Sequence, residues 1–457
     1  MLTKPRDLDM SNGPLVRTLI IFALPIMAMN ILQLLFNAAD MIIVGRFSSS
    51  EALAAVGATG YLINLLVNLF MGLSIGTSVV VAQDYGADKR DGVRRTVHTS
   101  ITISTIGGIF VMVLGLATCE PLLHMMGTPE DIIHLSVLYM KIYFLGLPAS
   151  MVYNFGAAIL RATGNSQTPM VILVITGIFN VLLNMFFVLV LHMSVDGVAL
   201  ATVISQYLSL ILIMRSLIKS ESSIRFKFQE LGVDPTKLRD IVRIGLPAGL
   251  QALLFSLSNV LIQSAVNSFG SVMVAASSAA DNVEGFLDTT MNAYYNAAVI
   301  ITGHNMGARK YDRIDSIAKV CAGMILTTWI VLGGGILVFG RTLLGFYTLN
   351  PEVVELGILR MRLFMGAYFA FGTMTVFPGL SRGMGYSVLP MLWTLVGVCL
   401  MRIVWLVTVF AWRPTIMVLF ACYPVTWILT GIGQVAIFFY ARHQVRSDVD
   451  SSFCMSK

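Results

Sequence analysis

Twelve apolar runs divide the chain, at roughly 16–45, 52–82, 97–118, 132–160, 168–192, 195–218, 240–268, 272–303, 317–339, 353–381, 387–411 and 415–441. Each is near or above the ~20 residues that an α-helix needs to cross the hydrocarbon core of a bilayer. Composition agrees, since 56% of the residues are hydrophobic and 12% charged, where soluble domains average about 25% charged. The expected fold is an all-α polytopic membrane protein with twelve transmembrane helices. The polar stretch "MLTKPRDLDMSNGPLVR" precedes a first apolar run longer than a signal h-region, so no cleaved signal peptide is expected.

The net charge of +6 is distributed unevenly, and the distribution carries more information than the sum. With the N-terminus inside, Lys and Arg concentrate in the N-terminal segment, the even-numbered connections and the tail. Only Arg46, Arg341 and Arg413 fall on the other side. An excess of Lys and Arg in cytoplasmic loops sets orientation. Both termini are therefore expected in the cytoplasm, in a multi-pass protein of the plasma membrane, with membrane lipids as neighbours and no nucleic-acid partner. The five cysteines lie far apart without a CxxC pair, which points only to reduced or buried thiols. No HExxH or GxSxG occurs and the six histidines are scattered, so neither enzymatic activity nor a cofactor is expected.

The chain also repeats itself at an offset of 221 or 222 residues. "LPIMAMNILQLLFNAADMIIVGRFS" from Leu24 faces "LPAGLQALLFSLSNVLIQSAVNSFG" from Leu246, pairing Pro25 with Pro247 and Asn37 with Asn259. "AQDYGADKRD" from Ala82 faces "GHNMGARKYD" from Gly303, and "LRATGNSQTP" from Leu160 faces "SRGMGYSVLP" from Ser381. Six spans per half is an even number, so both halves enter the membrane the same way and should be related by a pseudo-twofold axis along its normal. The expected organisation is an N-terminal six-helix lobe (1–220), a cytoplasmic linker (221–236) and a C-terminal six-helix lobe with a short tail (237–457). Two such lobes suit alternating access around a central site.

Several motifs carry a family resemblance. They are "NAADMIIVGR" in span one, "ALAAVGATG" opening span two, the G-A-x-K/R loops after spans two and eight, "YMKIYFLGLP" in span four, "NVLLNMFFV" in span five and "VEGF" in span eight. Together they resemble the multidrug and toxic compound extrusion (MATE) family of cation-coupled exporters. The resemblance implies an antiporter that expels lipophilic, often cationic compounds, driven by inward H+ or Na+ and working as a monomer. It also implies a cation site in the N-terminal lobe, where the matching positions are Asp40, Asn154, Asn180, Asn184 and Thr202. Asn184 departs from members that carry a second acid there, which favours H+ and leaves Na+ at Asp40 as the alternative ion. Where other members rely on acids in spans seven and ten, this chain has apolar residues near Phe255 and Phe371.

The polar residues can also be read without the resemblance. Asn30, Gln33, Asn37 and Asp40 are spaced three, four and three apart, which puts them on one helical face. An ionised Asp at mid-bilayer costs roughly 2.5–3.5 kcal/mol on insertion scales, and such residues generally mark ion pathways. Desolvation disfavours the charged form of a carboxylate, so Asp40 is the expected proton carrier, with Asn37 beside it. For the amides, including Asn180 and Asn184 one turn apart on span five, interhelical hydrogen bonding is the competing reading.

Pro25 and Pro247 sit inside apolar runs, where a proline removes an i to i−4 bond. A hinge that bends when Asp40 is protonated and a static kink are both compatible with that placement. In span eight, Asp281, Glu284, Asp288, Asn292 and Tyr295 share one face and offer a negative wall to a cationic substrate. Tyr61 and Tyr295 supply aromatic faces for cation–π contact, and Gln33 completes the expected substrate set. A water-filled vestibule is the alternative for the span-eight acids. Lys141, Arg360, Arg362 and Arg402 also lie within spans; structural pairing or snorkelling is expected of them, with countering an acid or contacting anionic substrate groups as the alternative. The rival functional class is a flippase for a lipid-linked precursor, for which a cationic cavity would be needed.

Overall fold

In a computed structural model that describes residues 9–126, 128–220, 222–348 and 350–455, every regular element is helical. The first half contains α1 (Leu15–Phe47), α2 (Ser50–Gly86), α3 (Arg90–Met125), α4 (Glu130–Leu145), α5 (Leu147–Ala162), α6 (Gln167–Val190) and α7 (Val195–Ile218). The second contains α8 (Pro235–Asn267), α9 (Ser271–Gly307), α10 (Tyr311–Gly345), α11 (Pro351–Gly383), α12 (Val388–Phe410) and α13 (Ile416–Met455). Among the described residues, nine helices are long and apolar enough to cross a membrane, and ten if α4 and α5 form one span. The other two expected spans correspond to α2 and α9, each 37 residues long.

The single apolar run at 132–160 is two helices bent by 48°. Pro148 explains the break, because it cannot donate to the carbonyl four residues earlier and its ring crowds that carbonyl. Its counterpart α11 runs unbroken for 33 residues.

Helix ends show why the repeat anchors recur. α5 and α11 both stop at a glycine in the left-handed region, Gly164 at φ 94° and Gly385 at φ 96°. The next N–H then reaches back into the helix, Asn165 to Leu160 at 3.0 Å and Tyr386 to Ser381 at 2.9 Å. This is the C-terminal cap that only glycine adopts without strain. α2 and α9 end in matching turns, with Asp88 and Arg309 at φ 52° and 56° and Lys89 and Lys310 donating back at 2.9 and 2.8 Å.

The chain forms two compact units. One runs from Leu24 to Gly249, the other combines Met10–Ala23 with the chain from Leu250 onward. α1 therefore changes unit at Ala23–Leu24, next to Pro25, and α8 at Gly249–Leu250, two residues after Pro247. Both prolines are buried inside uninterrupted helices.

In the first unit α2 and the start of α8 meet backbone to backbone. A Cβ on Gly72 would lie 2.2 Å from Gly249 N, and one on Gly76 would lie 2.3 Å from the Ile241 carbonyl. "GLSIG" and "GLPAG" are thus two small-xxx-small faces packed on each other. Lys237 closes the same crossing with an ion pair to Asp84 at 2.5 Å. The linker is docked on α3, where Arg94 pairs with Glu230 at 2.5 Å and Arg95 with Asp234 at 3.2 Å.

In the second unit the segment before α1 is tied down by Asn305, which donates to Met10 O at 3.1 Å, and Arg313, which donates to Gly13 O at 2.8 Å. Its interior is aromatic, with Phe364, Tyr423 and Trp427 in mutual contact at centroid distances of 4.6 to 5.7 Å. Large apolar side chains such as Leu35, Ile42, Phe110, Ile330 and Phe339 remain exposed. In lipid such exposure costs nothing, since acyl chains are as apolar as the side chains.

Candidate functional site

Asp40 lies two turns before the C-terminal end of α1, and α6 brings Asn184 to it. The Asn184 amide Nδ2 donates to Asp40 Oδ1 at 2.5 Å and reaches Asn180 Oδ1, one turn earlier, at 3.3 Å. Asn180 in turn donates to Thr202 Oγ1 on α7 at 3.5 Å, and the Thr202 hydroxyl donates to its own helix at Val198 O, 3.0 Å away. A chain of polar contacts therefore runs from the carboxylate through two amides to a hydroxyl. Asn184 is 0% and Asn180 7% exposed. No basic side chain pairs with Asp40 among the described residues.

Four of the expected coupling residues come together in this way. Asn154 does not join them by hydrogen bonding, since its Nδ2 donates to Ser150 O on its own helix at 2.8 Å. Asn37 and Gln33 are on exposed positions of α1. Two residues were missed by the sequence reading. Tyr139 and Tyr143 stack with ring centroids 6.1 Å apart, both interact electrostatically with Asp40, and Gln206 hydrogen-bonds Tyr143. Their i, i+4 spacing in "YMKIYF" was the available signal.

What the site can do follows from its donors. Asn184 turns its nitrogen, not its oxygen, toward the carboxylate, and its own Oδ1 is buried without a partner. A protonated Asp40 would carry an O–H for which a neighbouring amide oxygen is the complementary acceptor. A hard cation such as Na+ needs converging oxygens. No group of three His, Cys, Asp or Glu side chains that could hold a metal exists among the described residues.

The face on α9 is engaged by α11. Arg360 pairs with Asp281 and with Glu284 at 3.2 Å, donates to Ser277 O at 3.0 Å, and lies over the Phe364 ring at 4.8 Å. The Tyr368 hydroxyl donates to Asp288 at 2.5 Å. Tyr295 is buried and accepts from Arg382 Nη1 at 2.5 Å. The acids that sequence spacing offered to a substrate thus already have partners; Glu284 is buried, whereas Asp281, with 56% of its side chain exposed, and Asp288 lie at exposed positions. Lys141 is near Glu120 at 3.8 Å. The side chain of Tyr61, on α2, lies outside the described residues.

Two segments, residues 25–186 and 247–408, match the MatE family. The chain belongs to the MatE family. The matches start at Pro25 and Pro247, the proline pair of the internal repeat. Among curated relatives of this MatE chain, "Probable multidrug resistance protein YoeA" of Bacillus subtilis (strain 168) is 28% identical over 385 residues, covering 82% of each chain. "Multidrug export protein MepA" of Staphylococcus aureus (strain NCTC 8325 / PS 47) is 19% identical over 82% of this chain and 83% of its own. A solved structure described as the outward-facing conformation of a multidrug resistance MATE family transporter superposes with a TM-score of 0.88 at 20% identity, covering 97% of this chain and 99% of the other. The MatE chain is a multi-pass membrane transporter rather than an enzyme, and a small-molecule substrate follows from its multidrug relatives.

Proposed function

We propose that this MatE protein is a secondary active antiporter that exports lipophilic, cationic compounds in exchange for inward H+, with Asp40 as the coupling group. In this reading twelve helices span the plasma membrane as two six-helix lobes, 1–220 and 237–457, joined by the linker 221–236. The lobes are related by a pseudo-twofold axis along the membrane normal, both termini are cytoplasmic, and the monomer transports by alternating access. α2 and α9 supply the two spans beyond the ten most apolar.

The observation that carries the proton is the Asp40–Asn184 hydrogen bond at 2.5 Å without a basic partner among the described residues. A carboxylate so placed is costly while charged, and taking up a cation removes the cost. Among the described residues one carboxylate, Asp40, belongs to this polar chain with Asn184, Asn180 and Thr202; it suffices for a proton but poorly balances a dehydrated metal ion, which favours H+ over Na+. The α9 face contributes to substrate binding through Asp281, whose carboxylate is the exposed end of the Arg360 network.

The test is efflux of a fluorescent lipophilic cation from proteoliposomes, driven first by a pH gradient and then by a Na+ gradient. Transport driven by the pH gradient alone, and abolished in Asp40→Asn, is the expected result. Transport that ignores the pH gradient, or survives Asp40→Asn undiminished, removes Asp40 from the coupling step.

A further inference from the structure

The second unit holds a buried cation that the exporter reading does not use. Arg402 on α12 is 1% exposed and belongs to the largest fully buried side chains of the protein. Its Nη1 donates to Asn259 Oδ1 on α8 at 2.6 Å, and its guanidinium carbon lies over Tyr423 at 4.4 Å and Phe255 at 5.5 Å. Nε and Nη2 are buried and have no hydrogen-bond partner.

These two atoms form one edge of the guanidinium. Their N–H bonds run nearly parallel, which is the fork that receives both oxygens of a carboxylate. The groups that interact with Arg402 electrostatically are Tyr423, Cys422 and Cys399, and none is a carboxylate. The two other buried arginines of this unit are served differently. Arg360 has Asp281 and Glu284, and Arg382 has Tyr295, Gln251 and Ser387.

The repeat makes the contrast sharper. In the register of Pro25 and Pro247, Asn259 matches Asn37 and Ile262 stands where the first half has Asp40. The first half keeps a half-buried acid without a base among the described residues, and the second keeps a buried base without an acid.

We propose that the Nε–Nη2 edge of Arg402 is a recognition site for the carboxylate of an organic substrate whose apolar body packs on Phe255 and Tyr423. The site adds carboxylate-bearing amphiphiles to the compounds handled, and so rests on the exporter reading for transport but not for binding. Both atoms are sealed in this state, so access requires the two aromatic walls to part. A buried charge left without a counter-charge is unfavourable, and an arriving carboxylate relieves it.

The experiment uses the full chain in nanodiscs and calorimetric titration with 2-naphthoate, its uncharged isostere 2-naphthamide, acetate and chloride. The expected result is that 2-naphthoate binds at least tenfold more tightly than 2-naphthamide, and at least tenfold more tightly than acetate or chloride. Arg402→Gln and Arg402→Lys are both expected to lose that preference, the second because an ammonium is a point donor without the parallel edge. Equal affinity for naphthoate and naphthamide in the unmodified protein overturns the proposal without recourse to any variant. So does a preference that survives in a monodisperse Arg402→Gln protein. Equal affinity for chloride or acetate assigns the site to a free small anion and overturns the substrate version.

Failure of lipophilic-cation efflux in proteoliposomes, with the naphthoate preference intact, would count against the exporter reading alone. The reverse outcome would count against Arg402 alone.

Discussion

Asn184 donates to Asp40 Oδ1 at 2.5 Å while its own amide oxygen is buried without a partner. A hydrogen bond to a charged group contributes about 1.5–3 kcal/mol. At roughly 1.4 kcal/mol per tenfold, Asn184→Leu should lower pH-driven efflux by about 10- to 100-fold. Asn184→Asp has a different expected outcome, because a second carboxylate supplies both charge and oxygens for a hard cation. Efflux from that variant should become stimulated by a Na+ gradient, and absence of any Na+ response would separate ion choice from this position.

Arg360 stands between two acids, with Glu284 and Arg360 side chains only 8% and 6% exposed. Removing one partner of a buried pair costs about 3–5 kcal/mol, whereas replacing both with apolar residues of similar volume is often neutral. Arg360→Met should therefore unfold at clearly lower temperature in detergent. The double variant Arg360→Met with Glu284→Leu should recover most of the loss, Asp281 being exposed enough to stay hydrated. A double variant no more stable than Arg360→Met would mean that the arginine acts through Asp281 or its aromatic neighbours instead.

Legibility in the sequence followed the physics of each signal. Apolar run length located the helices, because a crossing needs at least ~20 apolar residues, though nine or ten of the described helices, not twelve, are apolar enough to span by that measure. It merged α4 with α5, since a run of apolar letters hides the missing N–H of Pro148. The repeat was readable because its anchors are backbone necessities, such as Gly164 and Gly385 at positive φ. Asp40 stood out by itself, because a carboxylate in an apolar run is rare, but its grouping with Asn180, Asn184 and Thr202 was legible only through the family resemblance, since spacing along one helix cannot link three spans. The engagement of the α9 acids was not, because α11 brings Arg360 to them across more than seventy residues of chain. Spacing shows which side chains share a face, and it is silent about what covers that face.

The crossing of α2 and α8 was present in the sequence as "GLSIG" and "GLPAG" and was overlooked. With a would-be Cβ of Gly72 2.2 Å from Gly249 N, no side chain fits without parting the helices. Gly72→Ala and Gly76→Ala should each destabilise by about 1–3 kcal/mol, the usual cost of overpacking. Gly57→Ala has nothing within 4 Å of its would-be Cβ and should stay within about 0.5 kcal/mol. Thermal unfolding of the three variants side by side decides the matter, and equal behaviour of Gly76→Ala and Gly57→Ala would show that the crossing tolerates separation.

The linker should respond to acid in a defined direction. The Thr236 hydroxyl and the Lys237 N–H hold the Asp234 carboxyl down at about 2 from its ordinary 3.8, with Arg95 adding attraction. Arg94 likewise holds Glu230 below the usual range. A depressed value means that the docked linker binds its proton later than the free one does. Docking is then fully supported above about pH 4, and that support disappears as pH falls toward about 2. A spin label at Arg225→Cys should report constant mobility from pH 8 to 5 and rising mobility below 4. Asp234→Asn should move the label toward the mobile state throughout the range. A wild-type label that loosens well above pH 5 would mean that the carboxylates paired with Arg94 and Arg95 are not what holds the linker.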